Sequence, residues 1–138
     1  MMNTAPVFLL VEPYPTFRLR LRFWLEQVFV NPTIFVTTNG TETLRLITQE
    51  QPSYILIEME LSDISGLEVL RQIRQVLPDA RIVATSWHEN HSFLNEVRSA
   101  GANGFIRKPT LPSGLLDLWE IPPELRMDNG KTSPRPDH

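Results

Sequence analysis

The sequence predicts an α/β domain of three layers, with a five-stranded parallel sheet between two layers of helix. Three observations predict it. Five short runs rich in Val, Ile and Phe recur along the chain, and their apolar residues are continuous rather than alternating, as in strands covered on both faces. The segments between them space their apolar residues three or four apart, as a helix face requires. Strand and helix also alternate five times, an order that builds a parallel sheet through right-handed crossovers.

The strand runs are residues 6–12, 33–38, 54–58, 81–86 and 104–107. Phe17, Leu21, Trp24 and Val28 step by four, three and four residues and make the apolar face of a first helix. Pro15 opens that helix as a first-turn residue, and Arg18, Arg20 and Arg22 read as its solvated rim. A second helix starts near Asn39, carries Leu44 and Ile47 and ends before Pro52. A third carries Leu67, Leu70, Ile73 and Leu77 and stops before Pro78, since the residue preceding a proline leaves the helical region. Asp63 reads as its cap. A fourth carries Leu94, Val97 and Ala100, with Gly101 as its stop. A short fifth holds Leu115, Leu116 and Trp119 and ends before Pro122 and Pro123. The common five-stranded order is the flavodoxin-like 2-1-3-4-5, which places a site at the carboxyl ends of the strands. The residues there are Glu12, Glu58, Ser86 and Lys108.

Composition narrows the function. The 138 residues suit one domain, since about 150 is typical. Residues 6–121 are assigned to that domain and 122–138 to a flexible polar tail. Thirteen basic against sixteen acidic side chains argue against direct nucleic-acid binding. The absence of cysteine rules out disulfides, thiolate catalysis and Cys-ligated zinc. No apolar stretch is long enough for a bilayer span, and no charged leader precedes Pro6, so a cytoplasmic location without membrane contact is expected. His88 and His91 lack a third ligand and read as a surface pair rather than a metal site.

The strand-end residues sit in segments that resemble the receiver domain of two-component response regulators. Phe8-Leu-Leu-Val-Glu-Pro-Tyr-Pro15 resembles the first strand and acidic pair. Residues 52–66 resemble the third strand, phospho-acceptor and following loop. Ile82-Val-Ala-Thr-Ser86 resembles the strand ending in the switch hydroxyl, and residues 101–109 resemble the segment with the Lys-Pro step. The resemblance implies magnesium-dependent phosphoryl transfer onto an Asp. Magnesium takes about six oxygens in octahedral array; the acidic pair and the acceptor supply carboxylates, and a Lys and a hydroxyl meet the phosphoryl oxygens.

The sequence departs from that pattern where the chemistry is most demanding. Glu12 fits the first acidic position, but the second is Pro13, which has neither carboxylate nor N–H. The acceptor position is Glu58, whose extra methylene moves the carboxylate by about 1.5 Å, while a shift of about 1 Å already costs about a hundredfold in a catalytic geometry. Ser62 replaces the usual loop proline. Trp87 follows the switch hydroxyl where a small residue is usual; it either covers the pocket or is an exposed contact. Ser86 and Lys108 match, Pro109 keeps the Lys-Pro step (often cis in the family), and Phe105 takes the aromatic switch position without a hydroxyl.

These departures lead to the expectation of a single-domain pseudo-receiver, not an enzyme, that acts by protein contacts without taking phosphate. Glu58 is expected to pair with Lys108. No cofactor is expected; a weak magnesium site at Glu12 and Glu58 is the one metal reading, and Pro13 disfavours it. One alternative is a receiver that accepts phosphate with unusual chemistry. Another is a flavodoxin-like small cofactor binder, which the acid and prolines of the Glu12–Thr16 loop oppose. The partner class is a histidine kinase or a downstream effector, and the oligomeric state stays open. The fold consumes about 115 residues, so output is expected through the receiver surface itself, from about Glu89 to Ile121, with Phe105 and Trp119 as contacts.

Overall fold

Continuous apolar strands need cover on both faces, and the sheet has it. The computed structural model describes residues 5–88 and 90–126. The strands β1 (Val7–Val11), β2 (Thr33–Thr37), β3 (Tyr54–Glu58), β4 (Arg81–Ser86) and β5 (Gly104–Arg107) alternate with the helices α1 (Pro15–Val28), α2 (Gly40–Glu50), α3 (Gly66–Val76), α4 (His91–Ala100) and α5 (Leu115–Trp119). All pairings are parallel, in the order β2-β1-β3-β4-β5, as the alternation predicts.

Successive strand residues point to opposite faces, so each strand serves two cores. Leu9, Val11, Ile55, Ile57, Ile82 and Ala84 pack with Ile47, Val69, Leu70, Ile73 and Val97 of α2, α3 and α4. Phe8, Leu10, Leu56, Val83 and Ile106 pack with Leu21, Leu25, Phe29, Leu115 and Trp119 of α1 and α5 and their ends. Trp119 is fully buried, and its indole N–H donates to the Ile55 carbonyl at 3.0 Å. It is a core residue, which corrects the expectation of a surface contact. A short helix could seat it because α5 lies directly against the strands.

The ladder fixes where the strand ends meet. Val11 pairs with Ile57, Glu58 with Thr85, and Ser86 with Arg107. The residues at or just beyond those positions therefore converge on one edge of the sheet, across its middle strands.

Several local readings differ from the sequence. The buried positions of α1 and its end are Leu21, Leu25 and Phe29, while Phe17, Trp24 and Val28 are half-buried on the shoulder. Arg18 is no solvated rim: its guanidinium donates to the carbonyls of Glu12 and Pro13, each at 3.1 Å, and ties α1 to the loop before it. Ser65, not Asp63, caps α3, accepting from the Glu68 N–H at 3.3 Å. Asp63 instead crosses to α2. It accepts from the N–H groups of Gly40 at 2.8 Å and Thr41 at 2.9 Å and from the Thr41 hydroxyl at 2.7 Å. Free N–H groups open every helix, and a carboxylate beside them also meets the positive end of the helix dipole.

Past Ile121 the chain forms a 3-10 turn, Pro123–Leu125, and Arg126 makes an antiparallel bridge with Phe29. The rest of the expected tail, from 127, lies outside the described residues. Among the described residues no helix is long and apolar enough to cross a membrane.

Candidate functional site

Glu12 continues β1, its N–H donating to the Thr37 carbonyl at 3.0 Å. Its side chain is buried, and Oε2 accepts the Tyr14 N–H at 2.9 Å. Glu58 ends β3, fully buried, with Oε2 accepting the Glu60 N–H at 2.8 Å. Lys108 follows β5 at the start of a 3-10 turn, Lys108–Thr110. Its ammonium donates to Glu12 Oε1 at 2.6 Å and to Glu58 Oε1. The lysine is itself fully buried. Three residues from three strand ends thus form one buried ionic triad, with two carboxylates sharing one ammonium.

Such a triad survives because each charge is met. A buried ion costs several kcal/mol to desolvate unless partners and hydrogen bonds compensate it, and here both oxygens of each carboxylate have a donor. Burial nonetheless pushes the Glu58 carboxyl above its ordinary value, against the opposing pull of Lys108 and the Glu60 N–H, and the Glu12 charge adds to the rise.

Residues 8–120 match the response regulator receiver domain family. The chain belongs to that family. Curated relatives include the transcriptional activator protein ExaE of Pseudomonas putida, 32% identical over 109 residues, 79% of this chain and 51% of that protein. Another is the chemotaxis protein CheY of Thermotoga maritima, 26% identical over 80 residues, 58% of this chain and 67% of that protein. The chain spans about half the length or less of the first curated relatives it matches. Among solved structures, a LuxR-family response regulator from Aurantimonas aligns at TM-score 0.73 with 25% identity, covering 83% of this chain and 81% of that one. A Burkholderia pseudomallei response regulator, solved with a phosphorylated aspartic acid, calcium and citrate, aligns at TM-score 0.76 with 21% identity, covering 92% and 70%.

The receiver's site is roofed by aromatics. The rings of Tyr14 and Phe17 lie 4.7 and 4.8 Å from the Lys108 ammonium, a distance at which ring faces attract a cation. Trp87 meets Phe17 edge-on, with centroids 5.4 Å apart, and is still 42% exposed. Trp87 thus lies beside a ring that meets the Lys108 ammonium and presents one side outward. Tyr14 and Phe17 carried no sequence signal for this role, because a ring near a lysine ninety residues away is a tertiary fact.

The remaining receiver positions divide. Ser86 is buried, and its hydroxyl accepts the His88 N–H at 3.1 Å; the oxygen closes the turn after β4. Thr85 donates its hydroxyl to the Ile106 carbonyl at 2.7 Å and bolts β4 to β5. Pro109 is exposed after Lys108. The cis peptide bond among the described residues precedes Pro112, not Pro109, so the cis Lys-Pro bond of the family does not carry over. Phe105 is half-buried and meets Phe93 of α4 edge-on at 5.8 Å. Its packing partner lies on the α4 side of the sheet, away from the triad. Exposed His88 stands 3.6 Å from Glu60, and among the described residues no group of three or more His, Cys, Asp or Glu side chains could hold a metal ion.

The residues at the triad do not fit magnesium. All four carboxylate oxygens of Glu12 and Glu58 already accept a hydrogen bond. Pro13 offers no carboxylate, and its carbonyl is taken by Arg18. A hard divalent cation wants a shell of unspent oxygens; here an ammonium takes that position between the two acids.

Proposed function

We propose that this receiver domain signals through protein contacts without accepting phosphate, its pocket held closed by an internal ion triad. The observation that carries the reading is the bond from the Lys108 ammonium to both Glu12 and Glu58 in a fully buried site. In phosphoryl transfer a lysine here would neutralise incoming oxygens, whereas this one is already engaged. Glu58, the acceptor-equivalent residue, has both oxygens hydrogen-bonded, so neither is a free nucleophile. Pro13 takes a ligand away, and the aromatic cover of Tyr14, Phe17 and Trp87 hinders a donor's approach. Ser86 and Pro109 keep the family's frame, with Phe105 on the α4 side as a candidate contact for an effector. A small cofactor is disfavoured at the same loop: the Tyr14 N–H, which would face a phosphate, is spent on Glu12.

A magnesium titration followed by amide NMR tests the reading. The Tyr14 and Glu60 N–H groups report directly on the two carboxylates. They are expected to stay in place through millimolar magnesium. A saturable shift of both would mean that the cation displaces the triad and would overturn the proposal.

A further inference from the structure

Helix α1 buries Leu21 and Leu25 against the sheet and turns its opposite side to solvent. At 3.6 residues per turn, Leu19, Arg20, Phe23, Glu26 and Gln27 share that outer arc. Leu19 is 65% and Phe23 63% exposed, two large apolar side chains one turn apart. Beside them runs a mainly apolar groove of about 400 Å³, lined by Phe17, Leu19, Phe23, Trp24 and Pro112 with Arg20 at its side. An exposed aromatic knob next to an apolar groove is a self-complementary pair of features, as a twofold interface requires.

The charges select the partner and its direction. Arg22 and Glu26 lie on one flank of the arc, each side chain 48% exposed, and face each other at a loose 3.5 Å. An exposed pair of this kind contributes little within one chain, so both groups remain available. When two copies of α1 run antiparallel about a twofold axis level with residue 24, next to Phe23, each Arg22 comes opposite the other copy's Glu26. We propose that the outer face of α1 pairs with the same face of a second copy of this chain, antiparallel, with each Phe23 seated in the other's groove. This face is separate from the ion triad and from the α4 side, so the proposal stands or falls apart from the question of phosphate. One helix of fourteen residues, about 21 Å long, makes a small interface, so a weak, concentration-dependent dimer is expected.

Sedimentation velocity on the purified chain tests this across roughly 1–500 µM, a range of about −8 to −4.5 kcal/mol in binding free energy. A reversible dimer is expected, weakened at least about tenfold by Phe23→Glu, a loss of about 1.4 kcal/mol. Arg22→Glu and Glu26→Arg should each fail to self-associate, because each places like charges across the axis. An equal mixture of the two should form a heterodimer, since both cross-pairs are then opposite in sign. The mixture restores no contact within either chain, so its recovery separates association from helix stability; circular dichroism melts establish that each variant is folded. A monomer across the whole range, a dimer indifferent to Phe23→Glu, or a mixture no better than the single variants would each overturn the proposal. A monomer that instead captured an acidic helix of another protein on Phe23 would reassign the face.

Discussion

Glu12 and Glu58, on adjacent strands β1 and β3, share a single ammonium, that of Lys108. The sharing places one positive charge between two negative ones inside the fold.

Lys108→Met leaves both buried carboxylates without a cation. Breaking a buried pair in this way costs about 3–5 kcal/mol. Urea unfolding at neutral pH should show the loss, and it should shrink in acid as the two carboxyls take up protons. A variant as stable as the parent at neutral pH would mean that water already reaches the triad.

The Glu58 carboxyl carries a pH signature. Burial raises it above its ordinary 4.5, so the fold favours the protonated form more than the unfolded chain does. The resulting stability is full below the ordinary value and is lost as pH rises through the raised one. Glu58→Gln carries no such proton. The stability of the parent minus that of the variant should therefore fall as pH climbs from about 4.5, as read by melts in a pH series. A difference that rises with pH would reverse the sign and refute the account of burial.

Asp63 predicts the opposite slope. Its four hydrogen bonds to Gly40, Thr41 and Ile64 hold the carboxyl well below its ordinary 3.8. That stability is present above the ordinary value and is lost as pH falls through the lowered one. Asp63→Ala should lower the melting temperature at neutral pH, with the gap closing in strong acid. An unchanged melting temperature at pH 7 would show that the link between the β3–α3 loop and α2 adds nothing.

Gly66 sits where α3 begins, its N–H donating to the Met59 carbonyl at 3.1 Å. A Cβ there would fall 2.5 Å from Met59 Cα and strike the carbonyl oxygen as well. Backbone cannot yield as a side-chain tip can, so Gly66→Ala should cost about 1–3 kcal/mol and disturb the Glu60 N–H that holds Glu58. Chemical denaturation measures the cost, and an amide shift at Glu60 reports the disturbance.

The strands, their order and the convergence of Glu12, Glu58, Ser86 and Lys108 were legible because a parallel sheet encodes them locally, in apolar runs and their ends. What escaped the sequence depends on distant partners. Asp63 is close in sequence to the start of α3, and local reasoning placed it there, whereas the chain turns it toward α2. Arg74 fans its guanidinium over the carbonyls of Leu77, Ala80 and Gly101 and onto Asn103. Nothing about an arginine on a helix announces that clamp. Trp119 has the spacing of a helix face in either role, and only packing against Phe8 and Ile55 decides for the core. Ser86 ends its strand, as the apolar run implies, and its hydroxyl accepts from the His88 N–H and so serves its own turn.

Intact mass spectrometry shows whether the closed triad keeps phosphate out. The purified chain is incubated with magnesium and a small acyl phosphate donor, beside Glu58→Gln. Both proteins should keep an unchanged mass. A donor-dependent phosphoryl adduct on the parent that is absent from Glu58→Gln would show instead that Glu58 accepts phosphate through the triad.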